Sequence, residues 1–262
     1  MSHTILITGA FGYLGGTLLA HLGAARLPAH NKLYALVRST EQGEAVKQYG
    51  AEPLILDRQD EDSVIKCVFN AGITIIYFLI DSRSSDFQVS MIKALAEVRK
   101  QTGQGVHFLH TTGGKMFSSH SGHPTDSPLL DSSPTLYDLQ KSSRPPHAIM
   151  AQAINTNNTV IETAEAYGVK GYIFVPCIVY GKGEGFGNRI SIQTTAILRA
   201  AKKIRRVYKV DLVCVMGYRR SRTAGLKDFR TGPRSGLENL SKPPRPVWSP
   251  NGSLANRSRV SS

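Results

Sequence analysis

Thr4-Ile5-Leu6-Ile7-Thr8-Gly9-Ala10-Phe11-Gly12-Tyr13-Leu14-Gly15 is an apolar run that breaks into closely spaced glycines and then opens a helix. A strand that ends in this way offers its backbone to an anion. Gly9 permits the tight turn, Gly12 lets a pyrophosphate approach without meeting a Cβ, and Gly15 lets the helix sit close against the strand. The first N–H groups of the helix and the positive end of its dipole then face the phosphates. Leu14, Leu18, Leu19 and Leu22 continue at helical spacing. Gly23 and Pro28 end the helix, and an apolar strand at 33–37 closes a βαβ unit of the length a dinucleotide site needs. Gly9, Phe11, Gly12, Tyr13, Leu14 and Gly15 are the expected ligand contacts. The alternative is a glycine-rich loop that serves packing alone.

Working outward, strands are predicted at 4–7, 33–37, 53–56, 74–79, 106–110 and 171–175. Helices are predicted between them at 12–23, 41–49, 60–70, 85–100 and 148–167. This alternation implies an α/β fold, a Rossmann-like doubly wound parallel sheet with helices on both faces. Ligands of such sheets bind at the carboxyl ends of the strands, near the switch in strand order. The segment 111–146 reads as a long polar loop rich in Ser, Pro, Gly and Asp. It leaves a strand at that end, and a loop this long in a compact domain is usually functional.

The length of 262 residues accommodates one large α/β domain, or one domain with a smaller lobe. The division expected is 1–210, a dinucleotide-binding domain with the start of a substrate lobe, and 211–262, a basic tail. The apolar run 73–80 is too short to cross a bilayer. No basic stretch followed by a long apolar core marks a signal peptide. Cys67, Cys177 and Cys214 are too far apart to suggest a metal site or a disulfide framework, so a cytoplasmic location and no metal are expected. The net charge of +13 is concentrated in 211–262, which holds ten Lys/Arg against three Asp/Glu. That is a property of the tail and not of a patch built into the fold. The tail has no sustained period and reads as disordered. Its only aromatics are Tyr218, Phe229 and Trp248, with no nucleic-acid-binding module around them. The expected partner is a small molecule, with neither nucleic acid nor membrane.

Further elements sharpen this reading: Leu56-Asp57, the strand end His110-Thr111-Thr112, and Val175-Pro176-Cys177-Ile178-Val179-Tyr180-Gly181. With the glycine fingerprint, they make residues 3–210 resemble the extended and atypical short-chain dehydrogenase/reductases, also called the NAD-dependent epimerase/dehydratase family. The nearest likeness is to fungal members of unassigned substrate. The resemblance implies hydride transfer between a nicotinamide and a small carbonyl, alcohol or sugar-type substrate. It also implies a possible homodimer. The alternative is a non-catalytic dinucleotide sensor or interaction protein on the same fold.

NADP is the expected cofactor, with NAD possible. NAD-specific chains place a carboxylate at the end of the second strand. Here Arg38 and Ser39 stand there, suited to a 2′-phosphate, unless Arg38 is only a solvated surface side chain. The resemblance puts Asp57 near the adenine and Phe78 and Leu79 on the wall facing the cofactor. It makes Thr112 the Ser/Thr of the active site. The family's Tyr-x-x-x-Lys pair has a literal match in Tyr137 and Lys141, which with Thr112 form the expected catalytic set. That match is out of register. Counting back from Tyr180 by the family's spacing lands near Ile149, with Ala153 in the Lys position. Pro145-Pro146 also separates the pair from the helix that follows. Lys115 and His147 are alternative acid/base groups, and Lys115 and Arg189 are candidate substrate contacts. Past about residue 210 the family-like text stops, so the C-terminal substrate lobe is expected to be incomplete and the tail to derive from a retained intron or a shifted frame.

Overall fold

The computed structural model describes residues 2–25, 27–124, 126–206 and 218–219. All of these fall within the compact unit Met1–Arg222. Six strands are parallel: β1 His3–Ile7, β2 His30–Leu36, β3 Glu52–Leu54, β4 Ile75–Phe78, β5 His107–Thr111 and β6 Lys170–Phe174. A two-residue strand, β7 Tyr218–Arg219, pairs antiparallel with β6. The order is β3-β2-β1-β4-β5-β6-β7, so the chain reverses direction across the sheet between β1 and β4. The helices are α1 Tyr13–Leu22, α2 Thr40–Lys47, α3 Glu61–Asn70, α4 Asp86–Thr102, α5 Leu136–Ser142, α6 Ala148–Ala166 and α7 Ile192–Ile204.

The two faces of β1 follow from its alternation. Ile5 and Ile7 are buried with Leu19 and Leu22 of α1 and Val46 of α2. Leu6 belongs to the opposite core, with Val64 and Val68 of α3, Met91 and Leu95 of α4, and Val160 and Ile161 of α6. The doubly wound sheet expected from the sequence is therefore present. Local signals set the helix ends. Ser39 caps α2 by accepting from Gln42 N–H, and the Asp60 carboxylate accepts from Asp62 and Ser63 at the start of α3. Gly103 ends α4 in the left-handed conformation. His147, just after the two prolines, is the N-cap of α6.

The structure differs from the sequence reading in three places. The segment 111–146 is not a plain loop, since it holds two short 3-10 turns and α5. Strand β3 stops at Leu54, and Ile55 beyond it is exposed. As an edge strand, β3 pairs with only three residues of β2, and its Pro53 is tolerated there because an edge demands fewer donors. Helix α7 was not anticipated. None of its residues is buried. Of the 211–262 segment, only Tyr218 and Arg219 are described. The boundary after 210, and the rest of the tail, lie outside the described residues. Among the described residues, no helix is long and apolar enough to cross a membrane, and no group of His, Cys, Asp and Glu could hold a metal.

Candidate functional site

The site is built at the switch between β1 and β4. Gly9 leaves β1 at φ 68°, and a Cβ there would come within 3.0 Å of the Leu79 carbonyl oxygen. Gly12 N–H donates to Gly9 O at 2.8 Å and closes the turn. A Cβ on Gly15 would be forced onto the Gly9 carbonyl and would lie 3.0 Å from Thr8 O. The N-cap of α1 is Gly12, which has no side-chain cap, and the first turn carries no acidic residue. The positive end of α1 is thus left open to an anion. Buried Thr8 ties the two strand ends together by accepting Leu79 N–H at 2.9 Å.

Arg38 is exposed just beyond β2. Its backbone N–H donates to Gln42 Oε1 at 3.0 Å, and its guanidinium takes part in no ion pair among the described residues. Ser39 is engaged inside the first turn of α2. It accepts from Gln42 N–H and also hydrogen-bonds Glu41, holding that carboxyl below its ordinary range. Asp57 is exposed and accepts Gln59 N–H at 2.9 Å. Phe78 is a core residue whose ring lies 5.7 Å from Phe108 and 5.6 Å from Phe87. Leu79 is half-buried beside the α1–α2 core. A cavity of about 610 Å³, lined by Arg58, Gln59, Phe78, Ile80, Asp81 and Gln88 among others, opens beyond β3 and β4. Gln88, which the sequence reading missed, is buried and donates to Asp81 O at 2.8 Å. Its signal was a long polar side chain inside the apolar stripe of α4.

Thr112 follows β5 and is half-buried, and its hydroxyl donates to Met116 Sδ at 3.3 Å. Met116 in turn packs on Ala153 and Ile154 of α6. The in-register positions for the acid/base pair therefore hold a buried Ala153 and an Ile149 that is 57% exposed. Tyr137 and Lys141 meet elsewhere. The buried Tyr137 donates its hydroxyl to Glu162 Oε1 at 2.7 Å, and Lys141 Nζ reaches the same oxygen at 2.7 Å. The hydrogen bond that Lys141 donates to the Glu162 carboxylate raises the Lys141 pKa above its ordinary value. Glu162 lies nine residues beyond Ala153, roughly 14 Å along α6. Thr112 is linked to α5 through Met116, whose Sδ also accepts from Asn157 Nδ2 at 3.3 Å, and the same amide donates to Gln140 Oε1 at 3.1 Å. The Tyr137–Lys141 pair fastens α5 to α6, so Tyr137→Phe is expected to cost about 1 kcal/mol in a urea melt and to leave NADPH affinity unchanged.

Lys115 is exposed at the same strand end, and its carbonyl accepts from the Ser118 and Ser121 hydroxyls at 2.7 and 3.1 Å. His147 is exposed, its ring centroid 6.3 Å from that of His120. Arg189 Nε donates to Gly185 O at 2.7 Å, within its own loop. His110 is fully buried at the end of β5, and among the described residues neither ring nitrogen has a hydrogen-bond partner. Burial lowers its pKa to about 4, against a smaller opposing pull from Asp81.

This strand order, with a glycine turn on the first strand and an uncapped helix behind it, defines a dinucleotide-binding type of α/β protein. The chain belongs to the NAD dependent epimerase/dehydratase family, whose model matches residues 5–214. Among solved structures, it is similar to a reductase engineered to attenuate substrate inhibition in asymmetric catalysis. The identity is 15% over 76% of this chain and 67% of that one, with a TM-score of 0.50. A UDP-glucose 4-epimerase from Thermus thermophilus, in complex with NAD, is 15% identical over 78% of this chain and 63% of that one, with a TM-score of 0.49. Leucoanthocyanidin reductase from Vitis vinifera, in complex with NADPH, is 20% identical over 66% of this chain and 47% of that one, with a TM-score of 0.42. The chain spans about half to two thirds of the length of these structures. At such identities the likeness is one of fold. No curated protein matches the chain.

Proposed function

We propose that the chain binds NADP(H), and NAD(H) less tightly, and transfers hydride to or from a small carbonyl, alcohol or sugar-type substrate. The uncapped N-terminus of α1 carries the reading, with no acidic residue in its first turn and a glycine turn in which a Cβ on Gly9 or Gly15 would strike the backbone just past β4 or β1 and spoil the close approach of strand and helix. Gly9, Phe11, Gly12, Tyr13, Leu14 and Gly15 would hold the pyrophosphate through their backbone. Arg38, without an ion-pair partner among the described residues, would take the 2′-phosphate. Asp57 and Leu79 would border the adenine half, while the core position of Phe78 limits it to supporting that wall. The nicotinamide, when bound, supplies or accepts the hydride.

Thr112 would polarise the substrate oxygen. The thioether it now donates to is a weak acceptor, readily exchanged for a carbonyl. Lys115 and, once released from Gly185 O, Arg189 are the cations suited to an anionic substrate group. Residues 1–210 would make up the dinucleotide unit and 211–262 a separate basic segment. A non-catalytic dinucleotide sensor is the second reading. It is favoured by the exposed Ile149, the buried Ala153 and the engagement of Tyr137 and Lys141 with Glu162.

Arg38→Ala is expected to weaken NADPH binding by roughly tenfold to a hundredfold and to leave NADH binding unchanged. Fluorescence titration with each nucleotide checks this, and equal losses for both would contradict the 2′-phosphate role. NADPH oxidation with a panel of small aldehydes and ketones separates the two readings. Turnover abolished by Thr112→Val marks an enzyme, and no turnover beside intact binding marks a sensor.

A further inference from the structure

Gly183, Gly185 and Gly187 recur at every second position in the loop that follows β6, and all three lie against the start of α1. A Cβ on Gly183 would stand 3.0 Å from the Tyr13 ring. One on Gly185 would stand 2.6 Å from the Gly16 carbonyl carbon, and one on Gly187 would stand 2.8 Å from the Phe11 ring. Gly16 is the glycine in this region that the phosphate fingerprint leaves unexplained. Its own Cβ would meet Ala10 O at 2.9 Å and Gly185 Cα at 3.2 Å. The loop closes on itself through Gly183 N–H to Arg189 O at 2.9 Å and through Arg189 Nε to Gly185 O at 2.7 Å. It is fastened to α1 by the Tyr13 hydroxyl, which donates to Tyr180 O at 2.8 Å, and by Glu184 N–H, which donates to Thr17 Oγ1 at 3.2 Å. Phe186 packs edge-on against Phe11, with centroids 5.8 Å apart.

One bond in this set reaches the phosphate turn itself. Asn188 N–H donates to Phe11 O at 2.9 Å, while the other end of the same peptide, Gly12 N–H, donates to Gly9 O at 2.8 Å. The Phe11–Gly12 peptide plane is pinned from both sides. We infer that the loop 180–189 is a clasp that holds the dinucleotide-binding turn in its binding shape, making Asn188 and Tyr13 positioning residues for cofactor affinity. The inference rests on the dinucleotide reading. A turn fixed in advance loses less conformational freedom on binding, so releasing the clasp lowers affinity without removing any contact to the ligand.

The test is a titration of the full chain with NADPH, unmodified and as Asn188→Pro and Tyr13→Phe. Asn188→Pro deletes the donor to Phe11 O, and Tyr13→Phe deletes the hydroxyl without adding an atom. Both variants are expected to bind NADPH about tenfold more weakly. In the ligand-free state, hydrogen exchange at the Gly12 amide is expected to rise more than at the core amides of β1 and β4, a selective change that a uniform loss of stability does not produce. Unchanged affinity in folded variants would overturn the clasp and leave the dinucleotide site standing. An unmodified chain that binds no NADPH would overturn the dinucleotide reading and the clasp with it. Unfolding of the Tyr13→Phe chain would also overturn the clasp, since the contact would then serve the fold as a whole.

Discussion

Replacing Gly15 with alanine is expected to abolish saturable NADPH binding and to lower folding stability by about 3 kcal/mol. The new methyl group cannot be accommodated where α1 now sits. It would be forced onto the Gly9 carbonyl and would stand 3.0 Å from Thr8 O, both of them backbone atoms that no rotamer change can move. The helix must tilt away from β1, and its open N-terminus then leaves the turn it serves. Two other glycines make a graded control. At Gly12 a Cβ would meet only Gly9 O, at 3.1 Å, so the neighbour has to give by a few tenths of an ångström. At Gly23, where the backbone is right-handed, a Cβ would meet nothing within 4 Å. Urea melts of the three alanine variants should rank Gly15 well below Gly12, with Gly23 at or slightly above the unmodified chain. A flat series would show that α1 does not pack on β1 as described.

The second large effect is a loss of stability in acid. His110 has a folded-state pKa of about 4 because burial penalises its charged form, whereas its ordinary value is 6.5. Well above pH 6.5 the ring is neutral in both states and contributes no pH dependence. As the pH falls below 6.5, the unfolded chain takes up the proton and the folded chain does not, so stability declines until about pH 4. A shift of this size corresponds to about 3 kcal/mol lost across that window. His110→Phe, in a pocket already lined by Phe78, should remove most of the slope between urea melts at the two ends of the window. A smaller slope should remain, because burial also lowers the pKa values of His3 and His123. An unchanged slope in the variant would show that His110 is not held neutral by burial.

The glycine turn, the five crossing helices and the six parallel strands were legible because each is written locally. A strand buried on both faces is a continuous apolar run, and a helix start is a cap or a proline pair. Helix α7 went unread although Ile192, Ala196, Ile197, Ala200 and Ile204 recur at helical spacing; that stripe is exposed, with Ile192 at 79% and Leu198 at 63%, so no core packing marks it. Its local signs were weaker: Ser191 as N-cap accepting from Thr194, and Lys202 and Lys203 in the last turn. The role of 183–189 was beyond any local reading. Its glycines announce close backbone approach, and the surface they meet is α1 and the turn before it, far away in the chain. The same limit applies to Tyr137 and Lys141. Their spacing matches a catalytic pair, yet Glu162, on the next helix, decides where both side chains go.

The measurement that bears most directly on the central claim is calorimetric titration of the whole chain with NADPH and, separately, with NADH. Saturable one-to-one binding of NADPH, with NADH bound at least tenfold more weakly, is the expected result, given an open α1 N-terminus and Arg38 at the end of β2. No heat with either nucleotide, from a chain that melts cooperatively, would contradict the assignment of this turn as a dinucleotide site.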